Sequence, residues 1–299
     1  MIWKVEFLVA IYMSKTRQII TETTDRNIPL DRPDWKDKDE SSTAEWRDIN
    51  WHKLARCIYK LQKRIYRASQ RGDVKALRRL QKTLMKSWYA RCLAVRRVTQ
   101  DNTGKNTAGV DGVKSLSPAA RIKLANKLKL GTKVKPTRRV WIPKPGTDEK
   151  RPLGIPTMYD RALQALTKMV LEPEWEARFE PNSYGFRTGR SCHDAIEAIF
   201  TVIAKKPRFV LDADISKCFD RINHKALLKK LNTSPTIRRQ IRAWLKAGVM
   251  NGKQLFPTSE GTPQGGVISP LLANIALHGM ENRIKQYAPN AKRQKAGKS

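Results

Sequence analysis

The chain has 299 residues, 40% of them hydrophobic, which is enough for a sizeable core and a soft prior of two domains. Lys and Arg number 60 against 27 Asp and Glu, a net charge of +33; a chain this cationic repels itself until a polyanion neutralises it, which points to nucleic acid. No apolar run is long enough to span a membrane, and the scattered Cys57, Cys92, Cys192 and Cys218 have neither a disulfide framework nor a zinc spacing, so they read as reduced thiols of a cytoplasmic protein.

Residues 1–12 are apolar apart from Lys4 and Glu6, and no small-residue cleavage site follows them. They read as an upstream-extended or non-native leader, with Met13 as a candidate true start. Residues 21–42 are polar and carry Pro29 and Pro33, the composition of a linker. Residues 1–50 are therefore expected to be poorly ordered.

Trp51, Leu54, Ile58, Leu61 and Ile65 recur at steps of three and four, which predicts one apolar helix face. Lys53, Arg56, Lys60, Lys63, Arg64, Arg67 and Arg71 surround it. Gly72-Asp73 breaks this helix, and Asp73 is a good N-cap for the next. The second helix is predicted to run through Leu77, Leu80, Leu84, Trp88 and Val95, with Arg78, Arg79, Lys82, Lys86, Arg91, Arg96 and Arg97 around the remainder. Solvated faces ordinarily mix signs, whereas acids are almost absent here. The hairpin is expected to bind RNA, through phosphates rather than bases because the cations far outnumber the aromatics among them.

The glycine-punctuated loop 101–113 has the composition of a phosphate cradle but lacks the Gly-Lys-Ser/Thr ending of a P-loop. A short helix is expected over 118–130. Residues 140–156 read as two strands around a hairpin loop, confined by their prolines to edge or bulged positions. Lys144, Lys150 and Arg151 sit at this hairpin, where cations suit a triphosphate. A helix over 159–179 turns Leu163, Leu166, Val170 and Leu171 to the core. Arg187 and Arg190 flank Gly189 in a loop leading to a helix that starts near Cys192, and His193 and His224 are expected to be structural hydrogen-bonders.

Phe209 to Leu211 predicts a short buried strand, followed by Asp212, Asp214 and Asp220. A strand would point Asp212 and Asp214 to one face, where carboxylates can hold Mg²⁺ against phosphates; they can equally cap the following turn. Residues 225–231 and 237–247 read as basic amphipathic helices. In 260–277 a glycine-rich turn, with Gln264 between Pro263 and Gly265, leads into an apolar helix with Pro270 at its start. Residues 288–299 form a basic tail.

Five stretches in this order carry a resemblance: NTAGVDGV (106–113), IPKPGTDEKRPLGIP (142–156), SYGFRTGRSCHDAI (183–196), DISKCFD (214–220) and GTPQGGVISPLLANIAL (261–277). Together they resemble the reverse transcriptases and maturases encoded by group II introns, over about 51–286. The resemblance implies an α+β right-hand polymerase: a basic helical N-terminal extension over 51–137, then fingers and partial palm over 138–287. It implies that Asp214 is the catalytic aspartate holding Mg²⁺, with the Ile215 carbonyl as a further ligand. Phe219 would be the gate against a ribose 2′-OH, and Lys144, Arg151 and Gln264 would meet the incoming nucleotide. Arg187 and Arg190 look like template-contacting or fingers-packing residues. The family completes its metal site from an aromatic-Ala-Asp-Asp hairpin that does not occur before Ser299, so this chain is expected to hold part of the site.

The implied partners are structured intron RNA, an RNA template with a DNA primer, target DNA through regions outside this chain, and a C-terminal half or partner chain. The implied function is RNA-directed DNA synthesis with assistance to splicing and retrohoming. The alternatives are a non-catalytic RNA-binding maturase or one piece of a split enzyme.

Overall fold

The computed structural model of the protein describes residues 45–143, 146, 148–205, 213–284 and 286. The leader, the tail, Lys144, Asp212 and the expected strand at 209–211 lie outside the described residues.

The chain is built around one helix. α1 (Trp51–Gln70) and α2 (Val74–Lys86) form the expected hairpin, with Asp73 accepting from the Ala76 N–H as N-cap. Leu54, Ile58, Leu61 and Ile65 of α1 and Leu77, Leu80 and Leu84 of α2 are buried, as the periodicity predicts. The second helix does not continue to Val95. Ser87 is extended, with φ −62° and ψ 125°, and its hydroxyl caps a new helix, α3 (Trp88–Arg96), by accepting from Ala90 N–H. Serine offers the backbone a cap in place of another helical turn. The kink re-aims the chain, so Ala90, Cys92, Ala94 and Val95 are all buried. The Cys92 thiol is pushed up to about 12 by burial, against a smaller opposing effect of Arg91.

After α4 (Pro118–Lys127) come β1 (Thr137–Pro143) and β2 (Lys150–Ile155), an antiparallel pair in register Arg138 to Ile155 and Pro143 to Lys150. α5 (Met158–Glu176) then runs through the core and buries fifteen of its nineteen residues. Its buried polar groups therefore need partners, and the N-terminal helices supply several. Pro173 has no N–H, which frees the carbonyl four residues earlier; Gln62 Nε2 donates to that Met169 carbonyl at 2.9 Å. Ser69 Oγ donates to the Glu174 carbonyl at 2.9 Å. At the other end of α5, Arg161 donates to the carbonyls of Pro156 at 2.9 Å and Gly104 at 3.0 Å, and to that of Thr107. A Cβ on Gly109 would lie 2.8 Å from the Pro156 carbonyl. The loop that resembled a phosphate cradle is thus seated on α5, with its carbonyls turned to Arg161.

α6 (Cys192–Ile203), α7 (His224–Leu231) and α8 (Pro235–Leu245) follow. The next elements, β3 (Val249–Asn251) and β4 (Gln254–Phe256), form a hairpin that periodicity did not announce. Its Asn251-Gly252 pair is a hairpin signal, and Gly252 takes φ +60° in the turn. β3 pairs parallel to β1, Thr137 opposite Val249, giving a mixed sheet in the order β2-β1-β3-β4. α9 (Ser269–Leu277) closes the core with Leu271, Leu272, Ala273 and Ile275. Helices and a small mixed sheet make the chain α+β. Among the described residues no helix is long and apolar enough to cross a membrane.

Candidate functional site

Three loops and β2 converge. The turn after Asp214 runs through Lys217, which takes the left-handed φ of +51°, into a single 3₁₀ turn over Cys218–Asp220. The loop 260–266 lies along it: Thr262 N–H donates to the Phe219 carbonyl at 2.7 Å and Gly261 N–H to the Ile222 carbonyl at 2.8 Å. Gly261 sits at φ +79°, and a Cβ there would meet the Asp220 carbonyl at 2.6 Å, so only glycine allows this approach. His224 is buried at the start of α7 and its Nε2 donates to the Gly261 carbonyl at 2.6 Å. His224 is therefore the structural hydrogen-bonder expected, whereas His193 is exposed.

Gln264 links this turn to the sheet. Its carbonyl accepts from the Gly154 N–H on β2 at 2.6 Å, and its side-chain Nε2 donates to Asp220 Oδ1 at 3.3 Å. Gly265 comes so close to β2 that a Cβ would meet the Gly154 carbonyl at 2.9 Å. Arg151 stands exposed on the same strand, opposite Ile142. Phe219 is half-buried and meets Phe186 edge-on, with ring centroids 6.0 Å apart and planes at 90°. Phe186 was not singled out from the sequence. Its signal was the Gly185-Phe186 pair: Phe186 takes φ +58°, a costly conformation for a bulky residue, and the Gly185 carbonyl is held by Asn274 Nδ2 at 2.8 Å.

Asp214 and Ile215 are exposed, and among the described residues Asp214 has no hydrogen-bond or ion-pair partner. The Cys218 thiol is raised by burial and then by the charges of Asp214 and Asp220, which puts both carboxylates within electrostatic reach of one sulfur. The Ile215 carbonyl accepts from Cys218 N–H at 3.3 Å and keeps a second lone pair. Mg²⁺ takes oxygen donors, often one or two carboxylates, and retains several waters. Asp214 and the Ile215 carbonyl fit part of such a donor set. Among the described residues no three His, Cys, Asp or Glu side chains gather as a metal site.

The cations divide into two groups. On α1, Lys53, Arg56, Lys60, Arg64 and Arg67, with Arg71 at its C-cap, are exposed, as are Arg79 and Lys82 on α2. At ~100° per residue the α1 set falls within one narrow stripe, ~27 Å long at 1.5 Å per residue. Arg78 and Arg187, grouped with these from sequence, are committed elsewhere. Arg78 Nη1 lies 3.0 Å from Glu174 Oε2, and its Nη2 donates to the Asn232 carbonyl. Arg187 is buried: Nη2 lies 2.7 Å from Glu176 Oε2, and Nη1 donates to the carbonyls of Glu180 at 2.8 Å and Ser183 at 3.0 Å. Of the two roles expected for that loop, Arg187 takes the packing one. Arg190 donates to the Pro181 carbonyl and stacks over Tyr184 at 5.1 Å.

The family described as the N-terminal domain of reverse transcriptase matches residues 46–128, and that described as reverse transcriptase (RNA-dependent DNA polymerase) matches residues 142–295. The chain is 38% identical over 191 residues to the group II intron-encoded protein LtrA of Lactococcus lactis subsp. cremoris, covering 62% of this chain and 32% of that protein. It is 39% identical to protein YkfC of Escherichia coli (strain K12), over 64% of this chain and 52% of that protein. With the maturase-like protein 1 of Euglena gracilis it shares 31% identity over 79% of this chain and 52% of that protein. The chain thus spans about a third to a half of the length of these relatives. With the glycine-spaced loop, the left-handed turn after Asp214 and β2 joined as they are, and with the second family match covering half its length, the chain belongs to the reverse transcriptases, the RNA-dependent DNA polymerases.

Proposed function

We propose that this chain serves a group II intron-encoded protein, an RNA-directed DNA polymerase and maturase that binds intron RNA, assists its splicing and supports its movement into DNA. The observation that carries the reading is the joint at Gln264: one residue bonds the turn bearing Phe219 and Asp220 and the strand bearing Arg151. The joint ties the strand carrying the exposed Arg151 to the turn carrying Phe219 and Asp220, and a cation, a ring and a carboxylate are the groups that suit an incoming nucleotide. In this reading Asp214 and the Ile215 carbonyl hold Mg²⁺, and Lys144 and Arg151 meet the triphosphate. Bound Mg²⁺ would stabilise the attacking 3′ oxygen and the leaving pyrophosphate.

A second reading, an RNA-binding maturase without synthesis, is favoured by the α1 stripe, which needs no metal. Primer extension on an annealed RNA template with dNTPs and Mg²⁺, run for this chain beside Asp214→Asn, separates them. Product from the first and none from the second supports the polymerase. Product from both removes Asp214 from its role. No product from either, with RNA binding retained, would mean that the part of the metal site held here does not suffice, leaving an RNA-binding piece of a polymerase or a maturase without synthesis.

A further inference from the structure

Between Arg221 and Ser259 the chain carries nine Lys and Arg and no Asp or Glu. Its cations lie outside the N-terminal hairpin and outside the hydrogen bonds of Gln264. Four of the nine share one address. α8 buries Ile237, Ile241, Trp244 and Leu245 against the core. The opposite side presents Arg238, Arg239 and Arg242, followed by Lys246 at the helix end, all exposed. At ~100° per residue these four fall within an arc of ~100°. Among the described residues none of the four side chains has an acidic partner or a hydrogen bond. A face of one sign, uncompensated in a folded protein, raises its own energy and is relieved by a polyanion. No large aromatic is interleaved on it, so its contacts are with phosphate charge rather than with base edges.

The same segment is tied to the N-terminal hairpin. Arg78 on α2 donates to the carbonyl of Asn232, the left-handed cap residue of α7 just before α8, while its other nitrogen holds Glu174 on α5. The Gly131 N–H after α4 is accepted by Gln240 Oε1 on α8 at 2.7 Å. The α8 face is therefore held in fixed relation to the α1 stripe.

We propose that the α8 face, Arg238, Arg239, Arg242 and Lys246, is a second RNA-backbone contact, separate from the N-terminal stripe and adding to it. This rests on the reading of the chain as an RNA-binding protein. The test is a salt titration of binding by the full chain to a short RNA duplex of arbitrary sequence. Arg238→Gln/Arg239→Gln/Arg242→Gln is compared with Arg56→Gln/Lys60→Gln/Arg64→Gln on α1. Each released phosphate contact reduces the slope of log K against log[salt] by ~0.7–0.9. The α8 variant is expected to lose one to three such steps and to bind ~10-fold or more weakly near 0.15 M salt. Arg→Lys at the same three positions is expected to keep the slope, since a point charge suffices for phosphate; loss with lysine as well would mean a structural role and would overturn the proposal. A reduced slope in both glutamine variants supports it. A reduced slope in the α1 variant with the α8 variant unchanged overturns it and leaves the proposed function standing. A reduced slope in the α8 variant alone removes the α1 stripe from RNA binding and overturns the proposal that the α8 face adds to it. If neither variant changes, both fail. Loss of binding to phosphatidylserine vesicles in the α8 variant, with RNA binding intact, would assign the face to a membrane surface and also overturn it.

Discussion

Glu174 shows what a single buried charge does in this chain. It is fully buried; Oε2 accepts from Gln81 Nε2 at 2.7 Å and from Arg78 Nη1 at 3.0 Å, and Arg178 Nη2 lies 2.9 Å from Oε1. The Arg178 contact is an ion pair without hydrogen-bond alignment, since Oε1 has no hydrogen-bond partner. Glu174→Ala would strand two guanidinium groups and Gln81 beside a cavity. Both arginines keep some contact with water, so the expected loss is at the low end for a broken buried pair, ~3 kcal/mol in urea unfolding. A change below ~1 kcal/mol would show that the carboxylate does not hold the helices together. Phe219 is the corresponding test at the site. Its ring meets Phe186 edge-on, and in the proposed function it would stand beside the nucleotide sugar and discriminate by size. Phe219→Val in a polymerase-competent form is expected to raise ribonucleotide incorporation relative to deoxynucleotide. Unchanged sugar selectivity would remove the gate.

Elements differ in how much of them periodicity reveals. α1 and α2 were legible because each lays a regular apolar stripe on the core, α5 because its leucines recur at helical spacing although it is buried on nearly all sides, and the 140–156 hairpin because of its prolines and glycines. The break at Ser87 was not, because the apolar period continues across it and only the competing serine cap interrupts the helix. The β3–β4 hairpin was missed because three-residue strands show too little alternation, and its parallel pairing with β1 joins residues over a hundred positions apart. At the site, the motifs named Asp214, Phe219 and Gln264. They did not reveal that Arg78 and Arg187 spend their charge on Glu174 and Glu176, because a partner across the core leaves no local trace. α6 is a case where local signals carry more weight than burial. Only Ala195 of its residues is buried, while Ser191 and Asp194 form a full capping box. The Asp194 carboxyl is held below its usual range by the Ser191 hydroxyl and then by the Ser191 N–H. Ser191→Ala is expected to cost ~1 kcal/mol locally, raising hydrogen exchange of the first-turn amides of α6 about five-fold while global unfolding barely moves. Unaltered exchange there would mean that the box does not hold the helix start.

For the whole molecule the governing quantity is the charge of +33. Salt then acts in two opposite directions. It weakens RNA binding, because counterions released into a more concentrated solution gain less entropy. It also strengthens the fold without RNA, because like charges along α1 and α8 repel in the folded state more than in the expanded chain. The screening length falls from ~10 Å at 0.1 M to ~3 Å at 1 M, shorter than the α1 stripe throughout, so repulsion between distant cations is removed first and that between neighbours last. The thermal midpoint of the free protein is expected to rise steadily from 0.05 to 0.5 M NaCl, by ~2–4 °C for each kcal/mol of repulsion relieved. Saturating RNA at low salt is expected to give a comparable or larger rise, and added NaCl then to lower the midpoint before raising it, as the ligand leaves and screening takes over. Exposed ion pairs holding the fold together would give the reverse trend in the free protein, but the pairs of Glu174 and Glu176 are partly or wholly withdrawn from solvent, where screening reaches least. A midpoint that falls monotonically with salt in the absence of RNA would mean that attraction rather than self-repulsion dominates, and that the uncompensated faces of α1 and α8 are not at the heart of the electrostatics of this protein.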